Sequence, residues 1–339
     1  MQTTAKRYNW LDVFKAFSIY FILFAHLNSS SRFATYVFSF MVHAFFFAAG
    51  VTASRNGNKT IKDYAVMRFK RLMVPYFIFG IFSMLVKLIV DGGTVGELAY
   101  QLVYGYRLKH YAITLWFLPC LYMVGLYYQV LLRFIKSKWL RLTICIGASF
   151  VFRIFSEGNV LPWGIDNAVK FLIYYSAGDF FADMLNSWSE NPQLIFKKIW
   201  PAGLFAICGV LSYILHQKGY TFFTDLVGIP SVYLVMVLLG CFYAFVGIYL
   251  FSVISIFLQD NKALQSAGKA SLIICCMQLP IDRLVYNTVQ VLGLHLYTDT
   301  QGQCLLITIV FVWLGVKAHQ FISNHFPAAM GIFPAKKQS

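Results

Sequence analysis

The residues able to do chemistry gather at the start of the chain. Asp12, Lys15 and His26 lie in the apolar run that follows Lys6 and Arg7. On a helix of 100° per residue, Lys15 to His26 falls about 20° past whole turns, and Asp12 to His26 about 40° short, so the three share one face within about 60°. At 1.5 Å per residue, Lys15 and His26 are about 16 Å apart along the axis. One face thus carries a charged pair at one end and an imidazole at the other. A histidine of pKa about 6.5 suits general-base work at neutral pH. The plainer alternative is an interfacial Asp12–Lys15 pair and an interior histidine satisfied by a neighbour.

Three further features call for the same weighing. His43 stands in the apolar stretch Met41-Val42-His43-Ala44-Phe45-Phe46-Phe47-Ala48-Ala49-Gly50. It either hydrogen-bonds a neighbouring helix or faces the same cavity as His26. Arg68 and Arg71, in Arg68-Phe69-Lys70-Arg71-Leu72-Met73-Val74-Pro75-Tyr76, are three apart and share a helix face. They are either an orientation anchor for anionic lipid head groups or two guanidinium forks for the phosphates of a cytoplasmic cofactor. Trp116 opens an apolar run, as an interfacial tryptophan does, or lines the cavity.

These side chains must be positioned by membrane helices. Of 339 residues, 59% are hydrophobic and 12% charged, whereas an ordinary soluble domain is roughly 45–50% apolar and about 25% charged. Such a chain could not cover its surface with polar groups. Its apolar runs are near 20 residues long, the span of a helix and not of a barrel strand. The reading is an all-α, polytopic integral membrane protein with about ten transmembrane helices, near 11–28, 33–53, 73–91, 112–134, 140–156, 168–185, 199–216, 228–257, 271–290 and 302–325. The fifth and sixth are the weakest, because Arg153, Lys170, Asp179 and Asp183 interrupt or flank them. Charges at such depth are costly and are functional hypotheses by default. Asp282 and Arg283 read as an intramembrane ion pair.

The 28 Lys and Arg outnumber the 13 Asp and Glu, giving a net charge of +15. With the N-terminus in the cytoplasm, most of these cations fall in cytoplasmic segments, Arg55, Lys59, Lys62, Arg68, Lys70 and Arg71 among them. That is the positive-inside pattern, and it places both termini in the cytoplasm. Topology therefore accounts for the basic balance, and no nucleic-acid partner is implied. Lys6 and Arg7 ahead of an apolar run suggest a signal peptide, but Asp12 and Lys15 interrupt the run and no cleavage site follows, so it reads as a retained helix. No connecting loop is long enough for a separate soluble domain, so residues 1–339 read as one transmembrane domain. The seven cysteines lie mostly in apolar stretches without C-x-x-C spacing, as apolar filler. No metal site is expected.

Taken together, these residues resemble membrane acyltransferase family 3. The resemblance rests on Arg7-x-x-x-Leu11-Asp12-x-x-Lys15 followed by His26, and on His43-x-x-Phe46-Phe47-x-x-Gly50. It continues through Arg68-x-x-Arg71-Leu72-x-x-Pro75-Tyr76, Leu115-Trp116-Phe117-Leu118 and Gly268-Lys269-Ala270-Ser271-Leu272. Within the family the chain looks most like the stand-alone, fucose 4-O-acetylase-like group of surface polysaccharide O-acyltransferases. That similarity implies transfer of an acyl group, usually acetyl from acetyl-CoA, to a sugar hydroxyl of a cell-surface or lipid-linked glycan. His26 is then the catalytic histidine with Asp12 and Lys15 beside it, Arg68 and Arg71 engage the donor, and His43 and Trp116 serve substrate or cavity. The implied setting is the bacterial inner membrane, with lipids and polysaccharide biosynthesis proteins as partners. The chain departs from the family pattern at Lys15-Ala16, where Arg-Gly is usual, at Ala49-Gly50 and at Gln278-Leu279-Pro280, where a His-x-Pro block is usual. Buried charges and histidines also mark proton-coupled exporters, and that alternative stands beside the acyltransferase.

Overall fold

A computed structural model describes residues 7–27, 32–105, 111, 113–155, 161–195, 203–204, 206–208, 210–211, 229–292 and 300–333. The described residues are helical, with no strand among them. In chain order the principal helices are α1 (Asn9–Leu27), α2 (Arg32–Gly50), α3 (Ile61–Arg68), α4 (Val74–Val90), α5 (Val95–Tyr104) and α6 (Phe117–Phe134). They continue with α7 (Lys138–Phe155), α8 (Ile165–Glu190), α9 (Ile229–Phe257), α10 (Lys262–Val291) and α11 (Gln301–His325). Five stretches are long and apolar enough to cross a membrane: Asn9–Leu27, Ile61–Val90, Thr114–Phe134, Val237–Phe257 and Gln301–His325. The expected helix at 199–216 lies largely outside the described residues. The others match the expected spans to within a few residues, except that α10 starts well before 271 and that α3 leads into α4.

The first helix is the hub. It packs on α2, α9, α10 and α11, and Trp10, Val13, Phe14, Ile19 and Phe24 are fully buried. Phe14 meets Phe47 while Phe21 and Phe24 meet Phe33, so α1 and α2 run antiparallel. On the other side Gly268 of α10 touches the main chain at Asp12; a Cβ there would fall on the Asp12 carbonyl oxygen. Further along, Ile19 and Leu23 share a cluster with Ala270 and Ile274. The two helices are therefore parallel and in backbone contact, the close approach that small residues permit between membrane helices.

Two departures from the sequence expectation shape the interior. First, α5 is a helix the sequence reading does not foresee. Leu98 and Leu102 are buried, and the segment folds back along α4. Tyr76 donates to the Leu102 carbonyl at 2.6 Å, and Tyr111 donates to the Gly80 carbonyl at 2.7 Å. The chain thus re-enters the bundle before α6 begins, and the turn Ile113–Trp116 packs on α10. Second, a π-helical turn, Phe69–Met73, joins α3 to α4, with the Val74 N–H bonded to the Phe69 carbonyl. Pro75 explains its position. Proline has no N–H to offer residue 71 and its ring crowds that carbonyl in an α-helix; widening the preceding turn relieves both, and single π turns are frequent at functional sites.

Of the charges that weaken the fifth and sixth expected helices, Asp179 is internally satisfied. Arg141 and Asp179 are 3% and 0% exposed, and they pair at 2.8 Å. Arg141 also donates to Tyr128 at 3.1 Å and to the carbonyls of Ile135 and Lys136, while Tyr128 and Ser54 donate to Asp179. The expected Asp282–Arg283 pair is not formed; Arg283 instead reaches Asp91 at 3.2 Å, because adjacent residues on a helix point 100° apart.

Candidate active site

One cavity of about 890 Å³ runs along the α1 face that the sequence marks out. Its size falls within the roughly 300–1,000 Å³ of small-molecule sites. Asp12, Lys15 and His26 all line it, together with Arg68, Arg71 and Trp116. The shared face arises from their helical spacing, and Ile22 completes it between Lys15 and His26. From α2 the lining takes Val42, Phe45, Ala48 and Ala49, from the turn after it Thr52, and from α10 Gly268, Leu272, Cys275 and Gln278.

The basic end is built at the start of α1. Asp12 is 4% exposed and accepts from Arg7 Nε at 2.8 Å, with Lys15 Nζ 3.8 Å from its other oxygen. Asp12 therefore balances two cations and lies too far from His26 to orient it: fourteen residues of helix separate them, about 21 Å. The three are brought to one cavity but to opposite ends of it. Arg68 enters from the end of α3, its guanidinium 6.0 Å over the Tyr64 ring. Its Nε and Nη2 are buried without a hydrogen-bond partner among the described residues. Arg55 joins from the loop after α2, held 4.7 Å over the Tyr8 ring, and Lys269 from α10. The lining thus holds six cations (Arg7, Lys15, Arg55, Arg68, Arg71 and Lys269) against one acid, Asp12. Just outside, burial and then the Arg71 charge hold the Lys59 ammonium below the usual lysine range.

This set fits a polyanion. Buried guanidinium N–H groups with no protein partner are costly unless a ligand accepts from them, and Arg presents a fork that matches phosphate. Such an end can hold phosphate groups. Among the described residues no group of His, Cys, Asp and Glu could hold a metal ion.

One sequence expectation changes. His43 is not among the lining residues: one position beyond Val42, it turns toward α8 and packs 5.4 Å from Phe171 and 4.4 Å from Tyr174. The cavity face of α2 is instead the stripe of Val42, Phe45, Ala48 and Ala49. Trp116 lines the cavity, one of the two places expected for it, and stands 5.9 Å from Phe171. The residues that sequence reasoning missed are Arg55, whose loop position carries no periodic signal, Lys269, which appears there only inside a family motif, and Gln278, which registers there only as a departure from a pattern.

A family model described as an acyltransferase domain matches residues 8–317, nearly the whole chain. The chain belongs to membrane acyltransferase family 3. No curated protein and no solved structure matches it. Family membership selects a membrane acyltransferase over the exporter alternative, and the matched residues include every lining residue named above except Arg7. In this family 3 acyltransferase, Leu118, Leu121 and Phe117 of α6 and Leu11 of α1 give the site apolar surface beside its cations. One region therefore concentrates the cations and the rest is less polar.

Proposed function

We propose that the protein moves an acyl group, acetyl from acetyl-CoA, onto a sugar hydroxyl of a cell-surface or lipid-linked glycan. The single observation that supports this most is the continuous cavity joining six cations at one end to His26 at the other. The basic end faces the cytoplasm, where acetyl-CoA is made, and both termini lie on that side of a bacterial inner membrane crossed about ten times. Arg68 and Arg71, with Arg55 and Lys269, hold the donor phosphates. The donor supplies an activated thioester. Asp12 keeps Lys15 and Arg7 in place at the entrance. His26 takes the proton of the sugar hydroxyl as its oxygen bonds the acyl carbon, and returns it to the sulfur as the C–S bond breaks, a role worth about 10²–10⁴ in rate.

The test is acetyl transfer by the purified, lipid-reconstituted protein, supplied with labelled acetyl-CoA and surface glycan. His26→Ala loses transfer by about 10²-fold or more while remaining folded. Arg68→Ala/Arg71→Ala raises KM for acetyl-CoA with a smaller effect on kcat, the pattern of lost binding common to ground and transition states. Full transfer by folded His26→Ala removes the central role; an unchanged KM in the double variant returns the arginines to lipid anchoring.

A further inference from the structure

Gln278 is the cavity residue to which the proposed mechanism gives no task. It is 5% exposed and lines the cavity. Both its Nε2 and its Oε1 are buried, with no hydrogen-bond partner among the described residues. A primary amide offers two N–H donors and a carbonyl acceptor, and native proteins rarely bury one with both ends unmet. Its site is otherwise well made. Thr114 donates to the Cys275 carbonyl one turn earlier, which anchors the re-entrant turn to α10, and Pro280 follows within the helix.

Its depth follows from register. Gly268 abuts Asp12, and Ile274 shares a cluster with Ile19 and Leu23. The helices run parallel, so Gln278, ten residues beyond Gly268, stands level with Ile22, ten beyond Asp12. That is about one turn, roughly 6 Å, short of His26 on the side of the cations. A ligand that reaches His26 from the basic end passes Gln278 last. There it must offer both a hydrogen-bond acceptor and a donor. Phosphates offer only acceptors at neutral pH. The pantetheine arm of coenzyme A, which carries two secondary amides just before its sulfur, offers both.

We propose that Gln278 binds the amide-bearing arm of an acyl-CoA donor and so sets how far the thioester extends toward His26. This rests on the acyl-CoA reading above and adds a donor-binding residue to it. The experiment separates the two. Affinities of the full-length, detergent-purified protein are measured for coenzyme A and for 3′,5′-ADP, which keeps two of the three phosphates and has no arm. Gln278→Leu weakens coenzyme A binding about tenfold and leaves 3′,5′-ADP within about twofold, whereas Arg68→Ala/Arg71→Ala weakens both. The apo Gln278→Leu protein melts no lower than the wild type, because an unmet buried amide is removed. Gln278→Asn, which keeps the amide and withdraws it by one methylene, gives an intermediate loss and carries the test if the Leu variant does not fold. Unchanged coenzyme A affinity in both variants overturns the assignment and leaves the acyl-CoA reading intact. Equal weakening of both ligands makes Gln278 structural and overturns it also. Failure of the wild type to bind either ligand overturns the acyl-CoA reading together with this one.

Discussion

Single residues in this protein carry buried charge in two distinct ways. Arg141 and Asp179 exhaust one another, with Tyr128, Ser54 and two carbonyls taking the remaining valences. Arg68 keeps two buried nitrogens unmet and opens onto a cavity. The first arrangement is the signature of structure and the second of binding. Removing one partner of a buried pair strands the other, at about 3–5 kcal/mol. Asp179→Ala is therefore expected to lower the melting temperature sharply in detergent and to reduce folded yield. Arg68→Ala removes an unsatisfied group, so its thermal stability is expected to stay near that of the wild type while donor affinity falls. A fluorescence melting curve for each variant checks the contrast; equal destabilisation would erase it.

At the level of elements, two contacts hold the site's geometry. The α1–α10 seam depends on Gly268, where any side chain meets the Asp12 carbonyl. Gly268→Ala forces the backbones apart, an overpacking cost of about 1–3 kcal/mol. It also displaces Lys269 and Gln278 from α1. Lower melting temperature together with raised KM for acetyl-CoA is expected, and a stable variant with unchanged KM would show that the seam does not set the site. The π turn that carries Arg71 is braced from behind by the C-terminal segment. Gly331, at φ +67°, packs on the Lys70 carbonyl, and Lys70 Nζ lies 5.5 Å from the centroid of the Phe333 ring. That φ is open to glycine at little cost and to most other residues only with strain.

For the molecule as a whole, the concentration of cations at one end of a low-dielectric bundle makes donor capture electrostatic. Walls of low dielectric focus such a field and raise local anion concentration, and salt screens the part that reaches solvent, with a Debye length of about 8 Å at 0.15 M and about 3 Å at 1 M. KM for acetyl-CoA is expected to rise several-fold as sodium chloride increases from about 0.05 to about 0.5 M, with little change in kcat. The steady-state constants measured across that series check it. A KM indifferent to salt would mean that the cations do not face the donor.

The sequence by itself determined what short-range periodicity and composition encode. A chain with 59% hydrophobic and 12% charged residues must bury its helices in lipid. Helical spacing alone placed Asp12, Lys15 and His26 on one face, and one cavity does follow that face. The family was legible too, through five short blocks in order, and the matched region 8–317 bears it out. Only the tertiary structure decided the remainder, because it depends on contacts between segments remote in the chain. The direction of His43 was open until α8 took that side of α2. Of the two places open to Trp116, rim or cavity, packing chose the cavity wall. Arg55 and Lys269 joined Arg68 only when the loop after α2 and the start of α10 met at the foot of α1. Gln278 gained a position relative to His26 solely through the register that Gly268 imposes on two parallel helices. Periodicity fixes which way a side chain points from its own helix; what stands opposite is a matter of packing.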